Sequence, residues 1–378
     1  MAKTKYLMLA VAVILIISAI YGFGTLKPKQ TTEVNMEKVK IEGKTEADKS
    51  RIAAKELKYP VYAELTGTQE QFNTDKEIKL SDYIGKKVIL IDFWTYSCIN
   101  CQRTLPYITM WDDKYRDDGL LIVGIHTPEF EFEKDPANVH RAIEKWGIKY
   151  PVVQDNNFAT WNAYGNRYWP RKYIIDIDGF IVYDHAGEGA YDEAEGVIQE
   201  LLKERADVLN EVTNISTEMS APRAVDSVEF SMVKTPEIYF GYQFYRGNFG
   251  NPEGLQAGKT IEYELPSKFA ENQAYFSGLW KTTKDYSELM SDTGEVVLKF
   301  SAKDANIVAE STNGSQTTVY VDDKIVDSSN KGKDVNSAGL LNVKASDLYN
   351  VVSASDYGTY TLRLKVSKGF RMYTFTFG

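Results

Sequence analysis

The chain has 378 residues, enough for two domains. Its 53 acidic residues outweigh 44 lysines and arginines, a net charge of -9 with no basic patch, which argues against a nucleic-acid partner. It has only two cysteines, and both lie in one four-residue motif, so no disulfide framework elsewhere can staple the fold.

Tyr6 to Gly24 carries no charge and is apolar enough to span a bilayer, which takes roughly 20 residues. Lys3 and Lys5 precede it like the basic start of a secretory signal, but no small-residue cleavage site follows. Residues 1–24 are therefore expected to form a single uncleaved transmembrane helix. Lys27, Lys29, Lys38 and Lys40 follow the span, so charge bias alone does not orient it. The short basic tail ahead of an apolar run, as in secretory targeting, places the remainder outside the cell membrane. Residues 25–59, rich in Lys, Glu, Thr and Gln, read as a solvated tether with a short helix near Glu46 to Leu57.

Residues 60–210 read as an α/β domain. Val88 to Trp94 is a buried strand and Cys98 to about Tyr115 a helix. Leu120 to His126 is a second strand, and Asn138 to Trp146 a helix closed by Gly147. A short strand at Pro151 to Val153 and a short helix at Phe158 to Tyr164 follow. Strands Lys172 to Asp176 and Phe180 to Asp184 flank the turn pair Asp178-Gly179, and Tyr191 to Leu209 is the last helix. After a linker at 211–229 the character changes. Residues 230–378 hold short alternating or aromatic runs between turn signals: Ile238 to Tyr245, Thr260 to Leu265, Ala274 to Thr282, Gly294 to Ala302, Ile307 to Glu310, Thr317 to Val321, Gly339 to Val343, Thr359 to Val366 and Arg371 to Phe377. That spacing predicts an all-β sandwich.

The chemistry centres on Cys98-Ile99-Asn100-Cys101, at a strand-to-helix junction. A cysteine at a helix N-terminus meets free N–H groups and partial positive charge, which stabilise the nucleophilic thiolate. Cys101, one turn on, can close a disulfide onto Cys98, and no other intramolecular disulfide is available. Zinc usually takes four ligands, and His126, His140 and His185 lack a metal-binding spacing, so no metal or other cofactor is expected. Asp92, six residues before Cys98 amid apolar neighbours, reads as a buried acid able to take the proton of Cys101. Glu129 follows the second central strand and is a candidate second proton carrier. Pro170, which opens the hairpin strand, is a candidate cis-proline, since only X–Pro bonds adopt cis readily.

These residues carry a family resemblance. Asp92 to Arg103 (DFWTYSCINCQR), Gly124 to Phe130 (GIHTPEF), Thr160 to Tyr164, Asn166 to Pro170 and Gly187 to Gly189 resemble the TlpA/DsbE-like redoxins, and most of all the C-terminal part of DipZ-type thiol–disulfide proteins. The tail resembles the carbohydrate-binding-module-like sandwich of that family through Thr235 to Tyr242, Asn272 to Trp280 and Thr374 to Gly378. The resemblance implies a thioredoxin fold followed by a β-sandwich, with Cys98 as attacking thiol and Cys101 as resolving thiol. It further implies Asp92 as buried acid and Pro170 as cis-proline, with Trp94 and Glu129 in support. Protein thiols and disulfides are then the substrates, and reduction the favoured direction. DipZ-type proteins carry a fused electron-importing domain of the CcdA type. A single span stands in its place here, so a separate CcdA-type membrane donor is implied. Two alternatives stay open: a thiol oxidase or isomerase, and an envelope module that binds glycan or protein, with carbohydrate as ligand of exposed aromatics. Tyr239, Tyr242, Tyr275 and Trp280 are the candidates for that platform, although aromatics at strand spacing more often pack in a core.

Overall fold

The computed structural model describes residues 45–222 and 227–378. The expected membrane span at 1–24 and most of the tether lie outside these residues. Among the described residues no helix is long and apolar enough to cross a membrane.

The first unit contains α1 (Glu46–Glu56), β1 (Gln71–Phe72), β2 (Val88–Trp94), α2 (Ile99–Tyr115), β3 (Leu120–His126), α3 (Pro136–Trp146), β4 (Val152–Gln154), α4 (Ala159–Ala163), β5 (Arg171–Ile175), β6 (Ile181–Ala186) and α5 (Tyr191–Leu209). Its sheet runs β1-β4-β3-β2-β5-β6, with β2, β3 and β4 parallel and the β5-β6 hairpin antiparallel beside β2. Every residue of β2 is buried, as a central strand covered on both faces must be. Its alternation decides where the site can form. Val88, Leu90 and Trp94 pack with Leu105, Ile108 and Trp111 of α2 and with Ile198 and Leu202 of α5. Ile89, Ile91 and Phe93 face the opposite core with Leu80, Trp161 and Tyr173. Side chains two apart share a face, so Asp92 falls on the face that α2 covers.

The tether expectation needs one correction. The helix near Glu46 exists, but it is docked rather than solvated. Lys55 pairs with Asp176 at 2.6 Å, Asp178 at 3.2 Å and with Glu204, and Arg51 pairs with Asp178 at 2.8 Å. The linker also begins against the first unit. Ile215 is buried there, and the carboxylate of Glu195 accepts the N–H and hydroxyl of Ser220 at 2.7 and 2.8 Å.

The second unit is β-rich throughout: β7 (Ile238–Tyr239), β8 (Thr260–Tyr263), β9 (Ala274–Thr282), β10 (Ser287–Leu289), β11 (Thr293–Ser311), β12 (Ser315–Val321), β13 (Lys324–Ile325), β14 (Leu340–Val343), β15 (Asp347–Ser367) and β16 (Phe370–Phe377). The sequence suggests separate strands at Gly294 to Ala302 and Ile307 to Glu310, but these are one strand. The polar stretch between them is a bulge, where Lys303 and Asp304 donate their N–H groups to the Gly378 carbonyl at 2.9 and 2.7 Å. Before the bulge β11 lies between β9 and β15, and after it between β16 and β15. The sheet therefore bends around one apolar core. Strand β15 extends Thr359 to Val366 back to Asp347, and Ile238 to Tyr245 shrinks to two residues of strand. There Gly241 abuts the Asp285 backbone so closely that a Cβ would sit 2.2 Å from its carbonyl carbon.

The aromatic platform does not form. Tyr239 and Tyr275 are each 5% exposed and Trp280 not at all; only Tyr242, at 47%, is open to solvent. Trp280 stacks on Phe276 at 4.0 Å inside the β core. Burial removes three of the four candidates.

The two units share a small apolar cluster. Phe130 and Phe132, just after β3, meet Tyr239, Val308, Leu348 and Tyr373 of the β unit. The Phe130 ring lies 5.2 Å from Tyr373 and 6.0 Å from Phe244. Glu131 N–H donates to Asp285 at 3.0 Å, Tyr96 donates its hydroxyl to the Ser346 carbonyl at 3.2 Å, and Lys145 pairs with Asp347 at 2.8 Å. Phe130→Ala is expected to cost about 3–5 kcal/mol, the range for emptying a buried phenylalanine site. Urea unfolding of the variant checks this, and a loss below about 1 kcal/mol would show that Phe130 does not hold the units together.

Candidate active site

Strand β2 delivers the chain to the site through Thr95, Tyr96 and Ser97. Gln102 Nε2 ties the Tyr96 carbonyl at 2.8 Å, and Ser97 donates its hydroxyl to Glu133 at 2.6 Å. Cys98 is then the N-cap of α2. Its Sγ accepts the Cys101 N–H at 3.4 Å, and its carbonyl accepts the first helical bond from Gln102 at 3.0 Å. This is the position where a helix has unpaired N–H groups and its dipole favours negative charge.

The two thiols are unequal. Cys98 is partly exposed and Cys101 is buried, and neither is in a disulfide. A disulfide from outside can reach Cys98 alone. Burial holds the Cys101 thiol well above its ordinary range, with the neighbouring Cys98 and Asp92 adding to it. Cys101 therefore stays a thiol near neutral pH unless a base takes its proton.

Asp92 supplies a carboxyl on the right face. It is 1% exposed, and its Oδ1 has no hydrogen-bond partner among the described residues. Burial pushes it up to about 7, against the opposing pull of Lys172. Lys172 stands directly across from Asp92 in the β2–β5 register and is itself fully buried. Its ammonium is 3.3 Å from the Gly187 carbonyl and lies over the Tyr191 ring at 5.5 Å, and burial lowers its proton affinity. A carboxyl near 7 changes protonation state with little driving force either way near neutral pH, the condition for proton exchange with a thiol.

The opposite wall is the segment before β5. The Trp169–Pro170 peptide is cis, and the Trp169 carbonyl faces Cys98 Sγ at 3.9 Å. Trp169 is held by its indole N–H on the Thr127 carbonyl at 3.0 Å and by Trp161 at 4.3 Å. Trp94 lies in the α2-side core, edge-on to His126 at 5.0 Å, and makes no part of the site's surface. His126 is buried and held neutral, pushed down to about 3 by desolvation.

Glu129 lies past the end of β3. Its carboxyl lies 2.8 Å from the Tyr239 hydroxyl and shares a cavity of about 310 Å³ with Cys98, Ile99 and Trp169. Burial, aided by the charges of Glu237 and Glu133, pushes it up to about 8. Four contributors escape sequence reading in these roles. Glu133 is fully buried and accepts the N–H groups of Glu129 and Phe130 at 2.6 and 2.9 Å besides the Ser97 hydroxyl. Lys172 is visible as a charge at the head of an apolar strand, but its pairing with Asp92 depends on topology. Tyr239 and Glu237 come from the other unit, which no local pattern connects to the cysteines.

Among the described residues, the acids close enough to share a metal ion are Asp176, Asp178 and Glu204, the carboxylates that Lys55 pairs with, away from the thiols.

This arrangement defines a thioredoxin-fold dithiol redoxin. Comparison with known proteins agrees. Residues 61–184 match the AhpC/TSA family, and residues 235–378 match the family described as thioredoxin like C-terminal domain. DipZ of Mycobacterium tuberculosis and of Mycobacterium bovis is 35% identical over 321 residues, 83% of this chain and 42% of DipZ. The thiol-disulfide oxidoreductase YkuV of Bacillus subtilis is 31% identical over 141 residues, 37% of this chain and 93% of YkuV. The solution structure of a thioredoxin-like protein in the oxidized form matches 39% of this chain and 97% of its own, at 30% identity and a TM-score of 0.36. The chain belongs to the thioredoxin-like thiol–disulfide oxidoreductases, redox enzymes as a family, and is a homologue of DipZ, of whose length it spans about two fifths.

Asp92→Asn tests the buried acid. A carboxyl raised from 3.8 to about 7 on folding stabilises the protein while protonated, and that contribution is lost as pH rises through about 7. The variant should therefore gain stability over the parent above pH 7, by on the order of 2–4 kcal/mol, and match it more closely at pH 5. Its release of substrate from the mixed disulfide should slow at least tenfold. Chemical denaturation at the two pH values and rapid-quench thiol trapping read the two effects.

Proposed function

We propose that the chain is a membrane-anchored, extracytoplasmic thiol–disulfide oxidoreductase that reduces protein disulfides. The observation that carries the reading is the inequality of the two thiols: an accessible Cys98 capping α2 and a buried Cys101 on the face of Asp92. The Cys98 thiolate attacks one sulfur of a substrate disulfide. The Cys98–substrate bond forms, the substrate S–S bond breaks, and the other sulfur leaves as a thiolate. Asp92 then takes the Cys101 proton. The Cys101 thiolate attacks Cys98 Sγ, and the second substrate sulfur departs with that proton. The protein ends as the Cys98–Cys101 disulfide, and the substrate has gained the electron pair.

The apolar run at Tyr6 to Gly24 supports the anchor, and the basic start before it supports an extracytoplasmic site. Re-reduction calls for an electron donor, for which the family resemblance suggests a membrane protein of the CcdA type. Kinship with the redoxins supports reduction over oxidation.

Cys101→Ala, expressed in the full chain, should accumulate mixed disulfides on Cys98 that dithiothreitol releases, whereas Cys98→Ala should hold none. Diagonal gels of acid-trapped cells make the measurement. Equal adducts on both variants, or none on Cys101→Ala, would end the exchange reading; captured partners that carry the reduced thiol state beforehand would reverse its direction.

A further inference from the structure

The Tyr239 hydroxyl is placed between two carboxyls from two units. It is 2.8 Å from Glu129 Oε1, in the loop after β3, and 3.0 Å from Glu237 Oε2, just before β7. A phenol donates one hydrogen bond. For both short contacts to be hydrogen bonds, one carboxyl must itself be protonated and donate to the phenol oxygen. Two carboxyls drawn together this way resist ionising together, so the group retains a proton beyond that of the phenol.

The surroundings favour retention at Glu129. Glu133, on the same loop, adds negative charge, while Arg246 covers the Tyr239 ring at 4.8 Å and offsets part of it. Arg167, Cys98 and the Tyr168 phenol complete the charged and titratable groups that line the shared cavity. Burial raises Glu129 to about 8, so the carboxyl is largely protonated at pH 7.

We infer that Tyr239 and Glu237 are positioning residues of the redox site: Glu237 holds a proton on Glu129 at the mouth of the Cys98 cavity, Tyr239 supports the carboxylate that its release leaves behind, and the proton passes to the thiolate that leaves in the first exchange step. The β unit thereby completes the redox site rather than merely adjoining it. The inference rests on the disulfide-exchange reading and closes its proton balance. Two substrate thiols form per turnover. The proton of Cys101, passed through Asp92, supplies the second. The first needs another source, and Glu129 provides it, ending ionised until re-reduction by the donor dithiol returns the proton.

The test uses the pre-reduced full chain in single turnover with two probes. Oxidised glutathione releases an alkyl thiolate that needs a proton, while a nitrobenzoate disulfide releases an aryl thiolate that leaves unaided. Glu237→Gln alters a partly exposed residue and should keep the fold. It should lower the ratio of alkyl to aryl rates about tenfold at pH 7, and move the alkaline fall of the alkyl rate to lower pH, because the charge that pins the proton is gone. Tyr239→Phe should move that fall to higher pH, because the ionised Glu129 loses its donor. A merely structural role would slow both probes together without opposed shifts. An alkyl-to-aryl ratio within twofold of the parent in Glu237→Gln, or midpoints moving the same way in both variants, overturns the inference while leaving exchange intact. Failure of the parent to reduce either probe overturns the exchange reading and the inference with it.

Discussion

The buried carboxylate of Glu133 is the constraint on which the site depends. It accepts the Ser97 hydroxyl, immediately before Cys98, and the N–H groups of Glu129 and Phe130. One side chain thus fixes the loop that presents the thiols, the carboxyl at the cavity mouth and the aromatic wedge between the units. Burying a carboxyl is costly unless its oxygens are satisfied, and three donors on two oxygens offset that cost. Ser97 and Glu133 are 36 residues apart, yet the parallel pairing of β2 with β3 ends both strands at the same level, Trp94 opposite His126, and brings the two loops together.

Desolvation governs the chemistry above that frame. The sheet that makes β2 rigid also removes water from Asp92, and α2 does the same to Cys101. Both groups hold their protons more tightly in consequence, and the buried Lys172 moderates the effect on Asp92. A carboxyl that water would keep ionised at neutral pH is thereby brought to a proton affinity near that pH. Cys98, half open at the end of the helix, remains the point of contact with the outside.

The first unit was largely legible in the sequence because its signals are local. The run Val88 to Trp94 reads as a two-sided strand, Asp178-Gly179 as a hairpin turn and Gly147 as a helix stop. The position of Asp92 follows from parity along β2. The β-rich unit was legible in kind but not in detail. A bulge at Lys303 to Asn306 has the composition of a loop, so β11 reads as two strands, and the polar residues Asn350, Ser353 and Asp356 conceal the first half of β15. Tyr239 shows the limit most plainly. As a strand aromatic it could be sorted only into core or exposed platform, and it turned out to be a buried ring whose hydroxyl meets the other unit. Contacts between units depend on how surfaces dock, and no periodicity encodes that.

The reduction potential of the Cys98–Cys101 pair in the full chain tests the account most directly. Equilibration against a glutathione or dithiothreitol series, read by thiol alkylation and mass, yields the value. A site that reduces disulfides should lie toward the thioredoxin end, about -270 mV. A value near about -120 mV, where the reduced form is favoured so strongly that the pair acts as an oxidant, would contradict it.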